Sequence, residues 1–326
     1  MAPNIDRCLP DPDQFSSCSD LIENTVLTAV IWIIACFTFV SNITVILFRF
    51  RSIRVSSETQ NKSSDILIIK IALCDFLMSV YLFLIAATDH VYKGVYFLNS
   101  ETWTRNSLCS VAGIVVTISC EGSLTFLLLL TRFRYSNIID PFSGNPVLSS
   151  NIIMILSCLC WIFLILIAFL PLSRSSYFGD NFYGSTGICL PMNLISIDVN
   201  GWQYSFAIFA VLNAIILTLI MMSYAQMYKY VSGSRSGSGR ADPTELVLAR
   251  RSLVINLCNL FCWLPLIIVQ LCAVFSVEIP NQVAAWLAVL FLPINSTLNP
   301  LLYTILTIDM KSIRARNKRR KRQPIK

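Results

Sequence analysis

The sequence predicts an all-α membrane protein, a bundle of seven transmembrane helices followed by a short amphipathic cytoplasmic helix. Of its 326 residues, 55% are hydrophobic and only 13% are charged, about half the charged share of ordinary soluble domains. The apolar residues also form seven stretches long enough to cross a bilayer core of about 30 Å as α-helices. The predicted spans are 26–48, 66–88, 110–133, 150–172, 203–228, 252–275 and 283–306.

The distribution of Lys and Arg predicts the orientation of the chain. These residues concentrate in the first, third and fifth connections and after span 7, which indicates an extracellular N-terminus and a cytoplasmic C-terminus. Residues 1–24 then form a short extracellular tail, 25–307 the bundle and 308–326 a basic cytoplasmic tail. Residues 1–24 contain no apolar core flanked by basic residues, so the first span is expected to be the membrane-targeting signal.

The basic tail supplies most of the net charge of +7. Such a segment is typical of a chain that lies on an anionic inner leaflet. The lipid bilayer is therefore the expected partner of the tail, and no feature of the sequence indicates nucleic acid.

Span 3, within Leu108–Pro141, is expected to be the axis of the bundle. Cys109 and Arg134 are 25 residues apart, which is about 37 Å of α-helix, so one lies at each membrane face. Glu121 and Ser123 remain as polar groups at mid-depth. A cysteine outside can form a disulfide and an arginine inside can contact a cytoplasmic partner, so this layout is typical of a signal transmitter.

Four of the twelve cysteines, Cys8, Cys18, Cys109 and Cys189, lie on the predicted extracellular side. The oxidising environment there favours a Cys109–Cys189 disulfide that attaches the loop between spans 4 and 5 to the outer end of span 3. A Cys8–Cys18 disulfide is supported by the even number of cysteines alone.

Polar residues from four spans fall at one depth when they are counted along the predicted helices. At about 1.5 Å per residue they lie roughly 14–17 Å from the inner face. The four residues are Asp75, Ser123, Trp263 and Asn295, and span 7 adds two further polar residues, Ser296 and Asn299. Two interpretations remain open: a hydrogen-bonded cluster that only ties helices together, or a cation or proton site whose occupancy biases the helix arrangement.

Seven motifs, in order along the chain, resemble those of rhodopsin-like (class A) G-protein-coupled receptors. They are Asn42, Asp75 in IALCDFL, Cys109, Arg134-Tyr135 followed by Pro141, Trp161, Cys262-Trp263-Leu264-Pro265, and Asn299-Pro300-Leu301-Leu302-Tyr303. The match covers about residues 18–318. The stretches DFLMSVYLFLIA, FYGSTGICLPM, VEIP and FLPINSTLNPLLY are most similar to the transmembrane region of relaxin-type receptors of the leucine-rich-repeat glycoprotein-hormone group, although these 326 residues contain no leucine-rich repeat.

The resemblance implies a plasma-membrane receptor that signals to a heterotrimeric G protein by rearranging spans 3, 5, 6 and 7. Its ligand would be a peptide or protein hormone, or the receptor would be an orphan with basal activity. The implied coupling and activation residues are Arg134, Tyr135, Tyr224, Glu245 and Tyr303. The implied toggle and hinge residues are Trp263, Pro265, Asn299 and Pro300. The six polar residues Asp75, Ser123, Trp263, Asn295, Ser296 and Asn299 would surround an allosteric sodium ion.

Several positions leave alternatives open or depart from the family pattern. Glu121 is either a hydrogen-bonded packing residue or a contact for a ligand or relay water. Pro265 removes an i→i−4 hydrogen bond, so it predicts a static kink or a hinge in span 6. Ile216 replaces a proline that is common in span 5, which predicts a straighter helix. Phe133 replaces the acid that usually precedes Arg134.

Glu245, at the inner end of span 6, has two interpretations of its own. It stands twenty residues before Pro265, where some rhodopsin-like receptors carry an acid that bridges to the arginine of span 3. It would then clasp Arg134. Alternatively, it is a solvated acid at a helix start, favoured by the helix dipole.

A cation transporter or channel that uses Asp75 and Glu121 is the alternative function. Such proteins usually have two halves with matching interrupted helices, and the sequence shows no such pairing. An enzyme is disfavoured, because the single histidine is His90 and no nucleophile, base or metal-ligand constellation is visible. The sequence therefore predicts a receptor.

Overall fold

The computed structural model describes residues 13, 15–55, 59–139, 150–173, 175–192, 197, 199–233 and 243–300. Within these ranges every regular element is a helix, and seven helices are long and apolar enough to cross a membrane. This confirms the predicted bundle. The spans comprise Thr25–Val55, Thr59–Val91, Ser107–Ile139, Ser150–Phe169 with the 3-10 turn Leu170–Ser173, Trp202–Gly233, Pro243–Val274 and, from Asn281, residues 281–300.

Local chemistry explains where several spans begin and end. Span 5 starts after Gly201, whose φ of 74° is favourable for glycine. Span 6 ends before Ser276, which also has a positive φ, and span 7 starts after Pro280, whose ring presets φ near the helical value. Each boundary therefore coincides with a residue that either interrupts a helix or favours the start of one.

Span 3 is the most buried of the seven. Within its most apolar window 72% of the residues are buried, compared with 28% in spans 1 and 4. Two glycines allow close approach of its neighbours, because a Cβ at Gly113 would overlap Tyr183 and one at Gly122 would overlap Cys74. Span 3 therefore lies along the centre of the bundle.

Span 5 contains a π-helical turn at Ala207–Leu212, which the sequence did not predict. The straighter helix expected from the absence of a proline at Ile216 stays a prediction. A π turn accommodates an extra residue and so rotates the residues that follow it, and such turns are frequent at functional sites. Here it immediately precedes Asn213, which is buried. Span 7 contains a second π-helical turn at Leu287–Phe291.

The connection between spans 2 and 3 contains a short helix, Tyr96–Thr104, that the sequence did not predict. The Tyr96 amide donates to the carbonyl of Ser19 at 3.1 Å. The indole of Trp103 donates to the carbonyl of Gly187 at 2.7 Å. This helix therefore joins the N-terminal segment to the loop between spans 4 and 5.

Some predictions concern residues outside the described part of the chain. These are the cytoplasmic helix and tail at 308–326, Tyr303, the side chain of Glu245, and Cys8. Cys18 is disulfide-bonded, and its predicted pairing with Cys8 stays a prediction.

Candidate functional site

Asp75, Ser123 and Asn299 come together in the middle of the bundle from spans 2, 3 and 7. Nδ2 of Asn299 donates to Oδ2 of Asp75 at 2.9 Å and to Oγ of Ser123 at 3.2 Å. All three side chains are at most 2% exposed. One amide therefore joins three helices at the depth that the sequence predicts for a polar cluster.

The other three predicted members of the cluster are all buried, and one of them contacts Asp75. Ser296 is buried beside the Asp75 carboxylate. Asn295 and Trp263 are also buried, but in the described structure neither makes a direct hydrogen bond to Asp75. The structure thus brings Asp75, Ser123, Ser296 and Asn299 together, and the roles of Asn295 and Trp263 at the cluster stay predictions.

Span 1 supports this cluster from the side. Nδ2 of Asn42 donates to the carbonyls of Thr38 (2.9 Å) and Ser296 (3.2 Å). The hydroxyls of Thr38 and Thr297 lie 2.8 Å apart. Spans 1 and 7 are therefore tied together beside the residues that contact Asp75.

Several buried polar atoms at the cluster have no hydrogen-bond partner among the described residues. They are Oδ1 of Asp75, Oδ1 of Asn299 and Nε1 of Trp263. Leaving such an atom unpaired costs about 1–3 kcal/mol. Carboxylate, amide and hydroxyl oxygens are also the ligands that hard cations prefer. The residues present therefore fit the sodium ion that the sequence resemblance implies.

Glu121 lies in span 3, toward the Cys109 end, which is the predicted outer end, and has a partner that the sequence analysis missed. Nδ2 of Asn213 donates to Oε1 of Glu121 at 3.1 Å and to the carbonyl of Phe209 at 3.2 Å. Asn213 directly follows the π-helical turn of span 5. A lone asparagine in an apolar span was the available signal, but its rotation about the helix axis depends on that turn.

Further polar atoms near the outer half of the bundle are unpaired within the described chain. They include Oε2 of Glu121, Oδ1 of Asn213 and both amide atoms of Gln270 in span 6, which is 2% exposed. The Glu121–Asn213 hydrogen bond agrees with the interpretation of Glu121 as a packing residue. The unpaired atoms leave hydrogen-bonding capacity for a ligand or relay water.

At the inner end of span 3, Arg134 is half-buried and its neighbours pack against span 5. The guanidinium of Arg132 lies 5.0 Å from the ring centroid of Tyr135. Nη1 of Arg132 also donates to Oγ of Ser223 at 3.4 Å. Tyr224, the next residue of span 5, is buried. The predicted clasp between Arg134 and span 6 involves a side chain outside the described set and stays a prediction.

The predicted Cys109–Cys189 disulfide is confirmed, with an S–S distance of 2.04 Å. It attaches the loop between spans 4 and 5 to the outer end of span 3. Tyr81 and Trp103 strengthen this attachment, because their side chains donate to the carbonyls of the two residues before Cys189, at 2.9 and 2.7 Å. The loop is therefore fixed to spans 2 and 3 at several points.

We expect Cys109→Ser and Cys189→Ser each to reduce the amount of folded receptor at the cell surface. Losing a native disulfide costs about 2–5 kcal/mol in small secreted domains. Surface labelling and thermal unfolding would measure the effect, with Cys36→Ser, an exposed free cysteine, as the control. The double variant should be no worse than either single variant, because both remove the same bond. Wild-type levels in both single variants would contradict the expectation.

The N-terminal segment from Phe15 to Asn24 packs on the bundle, which the sequence analysis did not anticipate. Phe15, Leu21 and Ile22 are buried. The Ile22 amide donates to Oδ1 of Asp89 at 2.9 Å, and the Thr28 hydroxyl donates to Oδ2 at 3.2 Å. Three apolar residues in a polar tail were the available signal. Asp89 therefore anchors this segment to the outer end of span 2.

We expect Asp89→Ala to loosen this segment. A hydrogen bond to a charged group contributes about 1.5–3 kcal/mol, so amide hydrogen exchange at Ile22 should accelerate roughly 10- to 100-fold. Thr28→Val is the matched control, since it removes the other bond to Asp89 and leaves the Ile22 bond in place. Unchanged exchange at Ile22 in Asp89→Ala would show that burial of the apolar residues holds the segment instead.

Comparison with known proteins relates this chain to one family. Residues 41–303 match the family described as 7 transmembrane receptor (rhodopsin family). The chain is 37% identical over 308 residues to the G-protein coupled receptor GRL101 of Lymnaea stagnalis, which covers 94% of this chain and 27% of that protein.

Two relaxin receptors show similar agreement. Identity is 35% over 319 residues with relaxin receptor 2 of Canis lupus familiaris (95% of this chain, 42% of that protein). It is 32% over 316 residues with relaxin receptor 1 of Homo sapiens (96% and 41%). The chain thus spans less than half the length of each of these three relatives.

Proposed function

Because the chain belongs to the rhodopsin family of seven-transmembrane receptors, we propose that it signals from the cell exterior to a heterotrimeric G protein. The proposal rests on the two hydrogen bonds by which the Asn299 amide joins span 7 to Asp75 and Ser123. A displacement of span 7 breaks or remakes these bonds. The cluster is therefore coupled to the relative positions of spans 2, 3 and 7.

An allosteric sodium ion at Asp75 is part of this proposal. A bound sodium ion would supply the positive charge that compensates the buried carboxylate. Ser123, Ser296 and the unpaired oxygen of Asn299 are the nearest further oxygen donors. Nδ2 of Asn299 donates to Oδ2 of the same carboxylate, whereas Oδ1 has no partner among the described residues and can contact a cation.

We place the receptor in the plasma membrane with its N-terminus outside. The Cys109–Cys189 disulfide and the segment from Phe15 to Asn24 lie at the same end of the bundle, because Leu21 is in reach of a Cβ at Gly187. Disulfides persist in oxidising environments, which supports an extracellular assignment for this end. The buried Arg49–Asp65 ion pair joins spans 1 and 2 at the other end of the bundle.

We also propose a peptide or protein hormone as ligand, or basal signalling without one. The relaxin receptors, to which the chain is similar, carry hormone names. The disulfide-anchored loop and the docked N-terminal segment provide an ordered outer surface for a large ligand. The unpaired atoms of Glu121 and Gln270 beneath it offer a route by which contact at that surface reaches spans 3 and 6.

Nucleotide exchange on purified G proteins of each class tests the proposal directly. The chain in lipid nanodiscs should accelerate exchange on at least one class. Arg134→Ala should abolish the acceleration, and Arg105→Gln, an exposed arginine at the other end of the bundle, should not. Cation flux through the reconstituted chain, without exchange on any class, would instead support the transporter alternative, which has no support among the relatives named above.

A further inference from the structure

The half of span 3 that leads to Arg132 reaches the surface of the bundle along one narrow strip. Between Ser119 and Phe133, every residue is buried except Thr125, Leu128 and Arg132. These three residues are spaced by three and four positions, so they lie on one face of the helix. Thr125 and Leu128 are partly exposed, whereas Arg132 is exposed. The charged end of this strip is therefore accessible from outside the bundle.

Arg132 contacts span 5 and its own helix, but neither contact supplies a negative charge. Nη1 donates to Oγ of Ser223 at 3.4 Å, which is long for a hydrogen bond. The Ser223 hydroxyl itself donates to the carbonyl of Leu219 at 2.7 Å, so its oxygen is a neutral acceptor. The guanidinium also lies 5.0 Å from the ring centroid of Tyr135, a cation–π contact. Within the described ranges, no acidic side chain forms an ion pair with Arg132.

The depth of Arg132 indicates where further acceptors come from. A guanidinium has five N–H donors, and only one of those of Arg132 has an acceptor among the described residues. Arg132 lies inside the predicted span 110–133 and two residues, or about 3 Å, before Arg134. A charged side chain at the end of a membrane span extends to the headgroups. The acceptors that Arg132 lacks are therefore within reach in the headgroup region at the Arg134 end.

The surface of span 5 beside Ser223 is apolar. Leu219 and Met222, four positions and one position before Ser223, are 44% and 53% exposed. Leucine side chains and lipid tails are equally apolar, so such a surface suits acyl chains. Lys229 is exposed farther along span 5 and adds positive charge at the same end of the bundle. Apolar surface followed by positive charge near the headgroups matches the two parts of a phospholipid.

We propose that Arg132 binds the phosphate of an anionic phospholipid in the leaflet at the Arg134 end, beside the contact between spans 3 and 5. The planar guanidinium donates two parallel hydrogen bonds to phosphate oxygens, and acyl chains pack on Leu128, Leu219 and Met222. Charge complementarity favours this lipid over a sterol, because a sterol hydroxyl carries no negative charge. The inference requires only that the chain lies in a membrane and is independent of G-protein coupling.

Photo-crosslinking of the full chain in nanodiscs tests this site. The nanodiscs contain phosphatidylcholine and a small fraction of phosphatidylserine with a photoactivatable acyl chain, and crosslinked peptides are mapped by mass spectrometry. We expect crosslinks at Leu128, Leu219 and Met222. They should fall about fivefold in Arg132→Gln, which is the contribution of one basic residue near an anionic headgroup. Arg132→Lys, which keeps the charge, should keep most of them.

Two further variants separate a binding site from general attraction to charge and from helix packing. Arg51→Gln removes an exposed arginine near the end of span 1, and this matched control should leave the crosslinks unchanged. Ser223→Ala removes the contact of Arg132 with span 5 but leaves the guanidinium available to phosphate. Its crosslinks should therefore equal or exceed those of wild type. Thermal unfolding of each variant establishes that it is folded.

Competition identifies the occupant. Unlabelled phosphatidylserine should displace the probe, whereas cholesterol, soluble glycerophosphate and inorganic phosphate should not. Equal crosslinking in wild type and folded Arg132→Gln would overturn the proposal, and so would an equal loss in Arg132→Gln and Arg51→Gln. Displacement by inorganic phosphate would also overturn it, because the site would then bind a free anion rather than a lipid.

Discussion

Asp75→Asn is expected to abolish any dependence of thermal stability and signalling on sodium ions. Asp75 is completely buried, and its Oδ1 has no hydrogen-bond partner among the described residues. A carboxylate at mid-membrane requires a cation, a proton or several donors. The substitution keeps the size of the side chain and an oxygen that can accept from Asn299, but it removes the charge that attracts a cation.

The expected size of the effect follows from linkage. A ligand that binds only the folded state stabilises it by RT ln(1 + [L]/Kd), so sodium at ten times its Kd contributes about 1.4 kcal/mol. For a bundle of this size that corresponds to a shift in Tm of roughly 2 °C. Wild type should show this shift when sodium replaces potassium at constant ionic strength, and Asp75→Asn should show none.

Glu121→Gln is the matched control for this experiment. It also neutralises a fully buried acid of the bundle, but Glu121 is bonded to Asn213 rather than to the Asp75 cluster. It should therefore keep the sodium response. If the thermal stability of wild type and Asp75→Asn depended equally on sodium, the cluster would only be a hydrogen-bonded contact between helices.

Glu245→Ala is expected to raise basal G-protein activation, and Arg134→Ala to abolish it. Phe133 replaces the acid that usually restrains the arginine in the receptors this chain resembles, and Phe133 is buried. A clasp between Arg134 and Glu245 would then hold spans 3 and 6 together at their inner ends. A partly exposed pair contributes about 0–1 kcal/mol, and 1 kcal/mol shifts a balanced two-state equilibrium roughly fivefold.

The start of span 6 supplies a competing role for Glu245. The helix begins at Pro243, so Glu245 is in its first turn, where an acid is favoured by the helix dipole. Basal nucleotide exchange, compared at matched surface expression, separates the two roles. Glu245→Gln should raise exchange as Glu245→Ala does if the clasp exists. No increase in either variant would leave only the role at the helix terminus.

Properties that depend on position along a helix could be predicted from the residues alone. The seven spans follow from the lengths of apolar stretches, and the common depth of Asp75 and Ser123 follows from counting residues. Depth is additive at about 1.5 Å per residue, so errors of a few residues at span ends change it little. The Cys109–Cys189 bond was predictable because it depends on which side of the membrane each cysteine occupies.

Properties that depend on rotation about a helix axis, or on contacts between distant segments, became visible only in the folded chain. The π-helical turn at Ala207–Leu212 sets the direction of Asn213 and so makes it the partner of Glu121. Docking of Ile22 on Asp89 joins residues 67 positions apart, and the place of Arg132 beside Ser223 depends on the packing of span 3 on span 5. Each added residue turns a helix by about 100°, so one π turn redirects every side chain after it.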